Sequence, residues 1–162
     1  MSQLLTNKIK TTQYANKLLN SGVIQLTGEE KVKYLQGQIT ADVNQLTQNN
    51  SLLGSHCDFK GKVWSIFYSF LWQDSILLIT HKSVLEKSLS EFKKYGVFAK
   101  VEFTNQTENW QITGGCGEHF EEAITKIFDQ LPTGDRNVIS NKNGIVMSVE
   151  QPVQRYLVIQ PC

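Results

Sequence analysis

Cysteine is scarce in this sequence and shows no pairing pattern. The 162 residues contain three cysteines, at positions 57, 116 and 162, with no CxxC or HxxxH spacing. An odd number of unpaired cysteines is typical of a reducing compartment and argues against a disulfide framework. Zinc sites use closely spaced cysteine and histidine pairs, which are missing here. The sequence therefore predicts a protein with neither disulfides nor a dedicated metal site.

Long apolar runs and an excess of one charge are also missing. No apolar run approaches the roughly 18 residues that span a bilayer, and the N-terminus lacks the apolar core of a signal peptide. Sixteen lysines and arginines balance 15 aspartates and glutamates, a net charge of +1. This balance gives no electrostatic footprint for nucleic acid, although a local basic patch can still exist. We therefore expect a cytoplasmic protein with no membrane partner and no strong direct nucleic-acid binding.

Strand and helix patterns alternate through the first two-thirds of the chain. Gly22–Gly28 predicts a strand, and Thr27 with Glu30 matches a capping box that predicts a helix of about ten residues ending near Gly37. SLLGSHC, VWSIFYSFLW and SILLITH predict a meander of three strands. HKSVLEKSLSEFKKYG predicts an amphipathic helix and VFAKVEF a further strand.

The remaining third repeats the mixture with different spacing. WQITGG predicts a strand ending at a Gly114–Gly115 turn, EHFEEAITKIFDQLP predicts a helix, and VIS, GIVMSVE and QRYLVIQ predict three strands. This order indicates an α+β fold with a mostly antiparallel sheet and flanking helices, because a doubly wound fold would alternate strictly. It divides the chain into an N-terminal arm at 1–21, an α+β subdomain at 22–104, and the start of a second, incomplete α+β subdomain at 105–162.

Two polar clusters are candidates for ligand binding. In GSHCDFKGKVW, adjacent strand residues point to opposite faces, so His56, Cys57 and Asp58 cannot converge on one metal ion. The following Lys60-Gly61-Lys62 is either a solubilising hairpin turn or one wall of a polar pocket. The second cluster, in YLQGQITADV, follows the first predicted helix and is either a capped turn or a reader of a planar heterocycle's edge.

Several of these segments resemble the YgfZ family, and the bacterial YgfZ proteins most of all. The resemblance lies in YLQGQITADV, in HCDFKGKVWS with its D-x-K-G-K hairpin, in FKKYGVFAKV and in RYLVI, in the family's order. The family comprises folate-binding proteins related to the T-protein (aminomethyltransferase) of the glycine cleavage system. The resemblance implies a T-protein-like α+β scaffold with a folate-binding-type subdomain at 22–104. It also implies an accessory role in maintaining iron–sulfur enzymes, and through them in tRNA modification.

The resemblance further implies tetrahydrofolate or a derivative as the cofactor, and iron–sulfur tRNA-modifying enzymes as partners. A carboxylate can accept two N–H bonds from a pterin edge, and lysine suits the folate glutamate tail. We therefore expect a folate pocket rimmed by five side chains, with no catalytic residue and no metal ligand among them. These are Gln38, Asp42, Asp58, Lys60 and Lys62.

The chain departs from the family pattern in two places. The family's K-G-C-[YF]-x-G-Q-E motif, which carries its functional cysteine, is absent, and Ser21 replaces a tryptophan linked to folate binding in close relatives. The resemblance covers only the N-terminal part of the longer family protein, and the strand pattern runs almost to residue 162. We therefore expect a fragment or truncated gene product with weak or absent folate affinity and no independent catalysis.

Three alternatives remain open from the sequence. The first is a folate-dependent one-carbon transferase resembling the T-protein, with Asp58 or Asp42 as its polarising carboxylate. The second is a non-functional remnant whose unfinished sheet self-associates. The third is an RNA-binding module that uses a set of surface lysines. That set is Lys31, Lys33, Lys60, Lys62, Lys93 and Lys94.

Overall fold

The computed structural model describes residues 14–150 and 152–162, so residues 1–13 of the predicted arm lie outside the described part. Within it, ten strands and three α-helices follow one another along the chain. The strands are β1 (Tyr14–Lys17), β2 (Ser21–Thr27), β3 (Leu52–Cys57), β4 (Val63–Trp72), β5 (Ser75–His81), β6 (Glu102–Asn105), β7 (Trp110–Cys116), β8 (Val138–Asn141), β9 (Gly144–Val149) and β10 (Arg155–Pro161). The helices are α1 (Lys31–Gln36), α2 (Lys82–Gly96) and α3 (Glu118–Phe128).

The chain forms two compact units. Among the described residues, one unit is Asn20–Asn109, and the other combines 110–162 with residues 14–19. Each unit has a five-stranded sheet, in the order β3-β4-β5-β2-β6 and β1-β7-β10-β9-β8 respectively. Every pair of neighbouring strands is antiparallel. The α+β, mostly antiparallel fold predicted from the sequence is confirmed.

In the Asn20–Asn109 unit, α2 covers one face of the sheet. The apolar positions of this helix recur at helical spacing, so Leu85, Leu89 and Phe92 are all buried. The buried core beneath it is apolar and draws on four strands and both helices. Its buried members are Ile24, Leu26, Leu35, Val43, Leu46, Phe67, Ile76, Leu78, Leu85, Leu89, Phe92 and Phe103.

In the second unit, α3 packs on its sheet through Ile124 and Phe128, against Val146, Tyr156 and Val158. β1 occupies one edge of this sheet and pairs with β7. Residues 14–17 of the predicted N-terminal arm are therefore a strand.

The predicted capping box on Thr27 is wrong. Thr27 ends β2, where it lies opposite Glu102, and Gly28 turns the chain with φ +105° close to the carbonyl oxygen of Lys100. α1 then begins at Lys31 and has six residues instead of about ten. The Glu30 carboxylate accepts from the Lys100 backbone N–H at 2.9 Å, and this bond is the main cause of its lowered pKa. The pair joins the start of α1 to the chain just before β6.

Two predicted strand boundaries are also wrong. VFAKVEF does not form a strand throughout, because Val97 and Phe98 are exposed in the connection after α2 and β6 begins only at Glu102. β7 does not turn at Gly114–Gly115 but continues to Cys116, and Gly117 makes the turn with φ +94°. In the part of the chain that the structure describes, no helix is long and apolar enough to cross a membrane.

Candidate ligand-binding hairpin

The hairpin between β3 and β4 is held in shape by Asp58. Its Oδ1 atom accepts from the backbone N–H groups of Lys60 and Lys62, both at 2.8 Å. The Asp58 N–H donates to the carbonyl of Lys62, and the N–H of Gly61 donates to the carbonyl of Asp58. Gly61 has φ +79°, a conformation that favours glycine. Asp58 therefore builds the turn through one carboxylate oxygen.

The tip of this hairpin is open to solvent. The side chain of Phe59 is 91% exposed, and the lysines on both sides of Gly61 are exposed as well. The Lys60 ammonium lies 5.5 Å from the centroid of the Phe59 ring. The tip therefore offers an aromatic face and two cations beside a carboxylate.

The loop after α1 lies along β3 and brings Gln38 to the hairpin. Ile39 forms an antiparallel bridge with His56, and Thr40 exchanges hydrogen bonds with Ser55. In an antiparallel pair, the residue before Ile39 lies beside the residue after His56. Gln38 therefore lies at the end of β3, next to the turn that Asp58 builds.

Asp42 lies further along the same loop, away from the hairpin tip, and has a structural role. Its carboxylate caps the short 3-10 helix Val43–Gln45. Oδ1 accepts from the backbone and side-chain nitrogens of Asn44, and Oδ2 accepts from Gln45 Nε2. The hydrogen bonds from Asn44 are the main cause of the lowered pKa of Asp42. Three of the five predicted site residues, Asp58, Lys60 and Lys62, thus lie in the hairpin, Gln38 lies on the neighbouring loop, and Asp42 lies in its own turn.

Beneath the hairpin, His56 belongs to the core. Its side chain is 1% exposed, its ring stacks on Phe92 with centroids 3.9 Å apart, and its Nδ1 lies 2.8 Å from Ser88 Oγ. Ser65 Oγ donates to the same Ser88 hydroxyl at 3.0 Å. Burial lowers the pKa of His56 to about 4, so the ring is neutral at pH 7. Among the described residues, no group of three potential ligands could hold a metal ion.

Sequence reasoning missed this buried aromatic cluster, in which Phe103 also stacks on Phe92, with centroids 5.0 Å apart. Tyr34 contacts the Phe103 ring edge-on and donates its hydroxyl to the carbonyl oxygen of Phe92 at 2.8 Å. The alternation of side chains along β3 could have indicated that His56 is buried. Gly54 and His56 share the buried face of β3, which favours a core histidine over a rim histidine. The cluster gives the exposed hairpin a buried, closely packed base.

Sequence comparison relates the chain to curated proteins named tRNA-modifying protein YgfZ. The chain is 38% identical over 138 residues to the protein from Photorhabdus laumondii, covering 85% of this chain and 42% of that protein. It is also 38% identical over 134 residues to the protein from Escherichia coli strain SE11, with 83% and 41% covered. The chain thus spans about two-fifths of the length of these relatives. No family model matches it.

Structure comparison gives the fold. The glycine cleavage system aminomethyltransferase T from Bartonella henselae matches with a TM-score of 0.77 at 9% identity, over 94% of this chain and 43% of that one. A chain of heterotetrameric sarcosine oxidase from Corynebacterium sp. U-96 matches with a TM-score of 0.55 at 9% identity, over 98% and 82%. The resemblance read from the motifs is confirmed: over the matched residues this chain is similar to curated YgfZ tRNA-modifying proteins, and its fold is similar to that of the aminomethyltransferase T.

Proposed function

We propose that the chain supplies one wall of a folate site in a YgfZ-type accessory protein that supports tRNA modification. The observation that carries this proposal is the similarity to YgfZ proteins over 138 residues, which include the hairpin Asp58–Lys62 and the loop beside it. The role in tRNA modification would be indirect, through maintenance of iron–sulfur enzymes, as the family resemblance implies.

The hairpin has the chemistry that a reduced folate requires. Both turn bonds of Asp58 end on Oδ1, so Oδ2 is available to accept from the N–H groups of a pterin edge. The ammonium groups of Lys60 and Lys62 suit the carboxylates of the glutamate tail. Gln38, at the adjacent position, adds an amide that both donates and accepts. No residue of this wall is assigned a catalytic role.

We expect the chain to bind folate weakly, because an exposed hairpin covers only one side of a planar ligand. Titration with 5-formyltetrahydrofolate, followed by ¹H–¹⁵N correlation spectra of the full chain, tests this. The expected result is a dissociation constant well above the low micromolar range. The amide shifts should be concentrated at 58–62 and at Gln38. Shifts concentrated elsewhere, or none at saturating ligand, would contradict the folate wall, and low micromolar binding would contradict weak affinity.

The variant Asp58→Asn tests whether the carboxylate of Asp58 binds the ligand, because asparagine keeps the Oδ1 acceptor that builds the turn and removes the negative charge. We expect the variant to fold normally and to lose the folate-dependent shifts. Asp74→Asn is the matched control, since Asp74 is fully exposed and lies at a different hairpin, where it pairs with Lys31. Equal losses in the two variants would mean that Asp58 does not contact the ligand.

The accessory role is tested in a bacterial strain whose own YgfZ gene is deleted. Expression of the full chain should restore thiomethylated tRNA nucleosides, measured by mass spectrometry, if these residues carry the activity. If the chain binds folate but restores no modification, the binding half of the proposal stands and the cellular half fails.

A further inference from the structure

Three lysine side chains lie over aromatic rings in the Asn20–Asn109 unit. The ammonium-to-centroid distances are 5.1–5.5 Å, within the range of a cation–π contact. The pairs are Lys60 with Phe59, Lys87 with Trp64, and Lys94 with Tyr95. With Lys62 these residues define what we call the lysine–aromatic face.

The three pairs share one region because His56 connects the hairpin to α2. Trp64 follows the hairpin and contacts the His56 ring edge-on, with centroids 4.7 Å apart. His56 in turn stacks on Phe92 of α2. Positions 87, 91, 94 and 95 recur at helical spacing, so they form one stripe of α2 that starts above Trp64. The face therefore runs from the hairpin tip along this stripe.

Positive charge on this face is less neutralised than elsewhere in the unit. Lys31 and Lys33 form ion pairs with Asp74 and Glu30. On the face itself, Lys87 pairs with Glu91 at 2.6 Å. The other three lysines of the face, at positions 60, 62 and 94, form no ion pair with any described residue. Of the lysines in the RNA-binding alternative, Lys60, Lys62 and Lys94 lie on this face and form no ion pair with a described residue. Lys93 forms none either, but it is not a member of the face.

We propose that the lysine–aromatic face binds unpaired segments of RNA. Aromatic rings stack on bases of any sequence, and lysines between them neutralise the phosphates of the same strand. Phe59 is placed for stacking, because its ring is 91% exposed at a hydrogen-bonded turn and has a cation beside it. The proposal goes beyond the folate wall, since Trp64, Lys87, Lys94 and Tyr95 have no part in that wall. Because the net charge of the chain is only +1, attraction to RNA is confined to this local face, so we expect modest affinity for RNA.

The test is fluorescence anisotropy of labelled oligouridine with the full chain, over a series of salt concentrations. Phe59→Leu keeps an apolar side chain but loses the flat ring, and should weaken binding by about fivefold or more. Phe59→Tyr keeps the ring and should retain the affinity. The double variant Lys60→Gln, Lys94→Gln should reduce the slope of log affinity against log salt by about 0.7 for each lysine removed.

Lys126→Gln with Lys142→Gln is the matched charge control, since both lysines are exposed and lie in the other unit. This control should leave the affinity and the salt slope unchanged. The proposal is overturned if oligouridine does not bind at low salt, if the two double variants lose affinity equally, or if Phe59→Leu binds as the wild type does. Circular dichroism confirms that each variant is folded.

Discussion

The imidazole of His56 and the phenyl ring of Phe92 stack face to face, with centroids 3.9 Å apart and planes 6° apart. Phe103 stacks on Phe92 as well, at 5.0 Å and 6°. His56 belongs to β3 and Phe103 to β6, the two edge strands of one five-stranded sheet. A flat sheet would hold such edges about 19 Å apart. The sheet therefore curls around Phe92, and one residue of α2 contacts both edges.

This relationship predicts that Phe92 is among the most costly residues to truncate. Its side chain is fully buried, and Phe92→Ala would leave a cavity and remove both ring stacks. We expect the free energy of unfolding to fall by about 3–5 kcal/mol, measured by urea denaturation. Phe98→Ala is the control, because Phe98 lies just after α2 and its side chain is 99% exposed. Similar losses in the two variants would show that the stack contributes little.

The buried histidine predicts a specific pH dependence of stability. The pKa of His56 is lowered from 6.5 to about 4, mainly by burial, with Glu91 opposing the shift and Lys87 adding to it. Below pH 6.5 the unfolded chain binds a proton that the folded chain does not. The contribution of His56 to stability is therefore complete above pH 6.5 and is lost as the pH falls toward 4. The total loss is roughly 3 kcal/mol.

Urea denaturation at pH 7.5 and pH 5.5 measures the first part of this loss. The lowered pKa values of Glu30, Asp42 and Glu91 act at more acidic pH, so this window isolates the histidine. His56→Phe should remove most of the pH dependence, while His81→Asn should keep it, because His81 is an exposed helix cap and asparagine can also cap. An unchanged slope in His56→Phe would show that another group is responsible.

Much of the architecture could be read from the sequence because local signals and burial agree there. The meander, α2 and the last three strands follow apolar periodicity, and the turn at Lys60-Gly61 needs a glycine with positive φ. The α+β class and the hairpin that carries Asp58 followed from these signals. The motifs, and not the periodicity, indicated the family.

The rest depended on contacts between residues distant in sequence. Glu30 fits a capping box locally, but its carboxylate accepts a hydrogen bond from the backbone N–H of Lys100, 70 residues away. Asp42 is a site candidate by residue type, and only the structure shows both of its oxygens engaged in a turn. The stack of His56 on Phe92 joins residues from a strand and a helix, which no sequence period connects.

Ser69 offers a chance to stabilise the protein. It lies on β4, is fully buried, and its Oγ has no hydrogen-bond partner among the described residues. Replacing such a group with an apolar one removes a desolvation penalty of about 1–3 kcal/mol. Ser69→Ala should therefore raise the midpoint of urea unfolding. Ser88→Ala should lower it, because that hydroxyl lies 2.8 Å from His56 Nδ1 and accepts from Ser65. A drop in both variants would mean that Ser69 has a partner in solution.

Two glycines with positive φ should respond differently to alanine. At Gly61 (φ +79°) an added Cβ meets nothing within 4 Å, so Gly61→Ala carries only backbone strain, about 1–2 kcal/mol. At Gly28 (φ +105°) the added Cβ would lie 2.3 Å from the carbonyl oxygen of Lys100, so a collision with the backbone adds to the strain. We expect Gly28→Ala to lower the free energy of unfolding clearly more than Gly61→Ala, as measured by urea denaturation. Equal losses of unfolding free energy at the two positions would show that the backbone near Lys100 moves aside at little cost when a Cβ is added at Gly28. In that case the contact of Glu30 with Lys100 could not be what holds the start of α1 against the chain before β6.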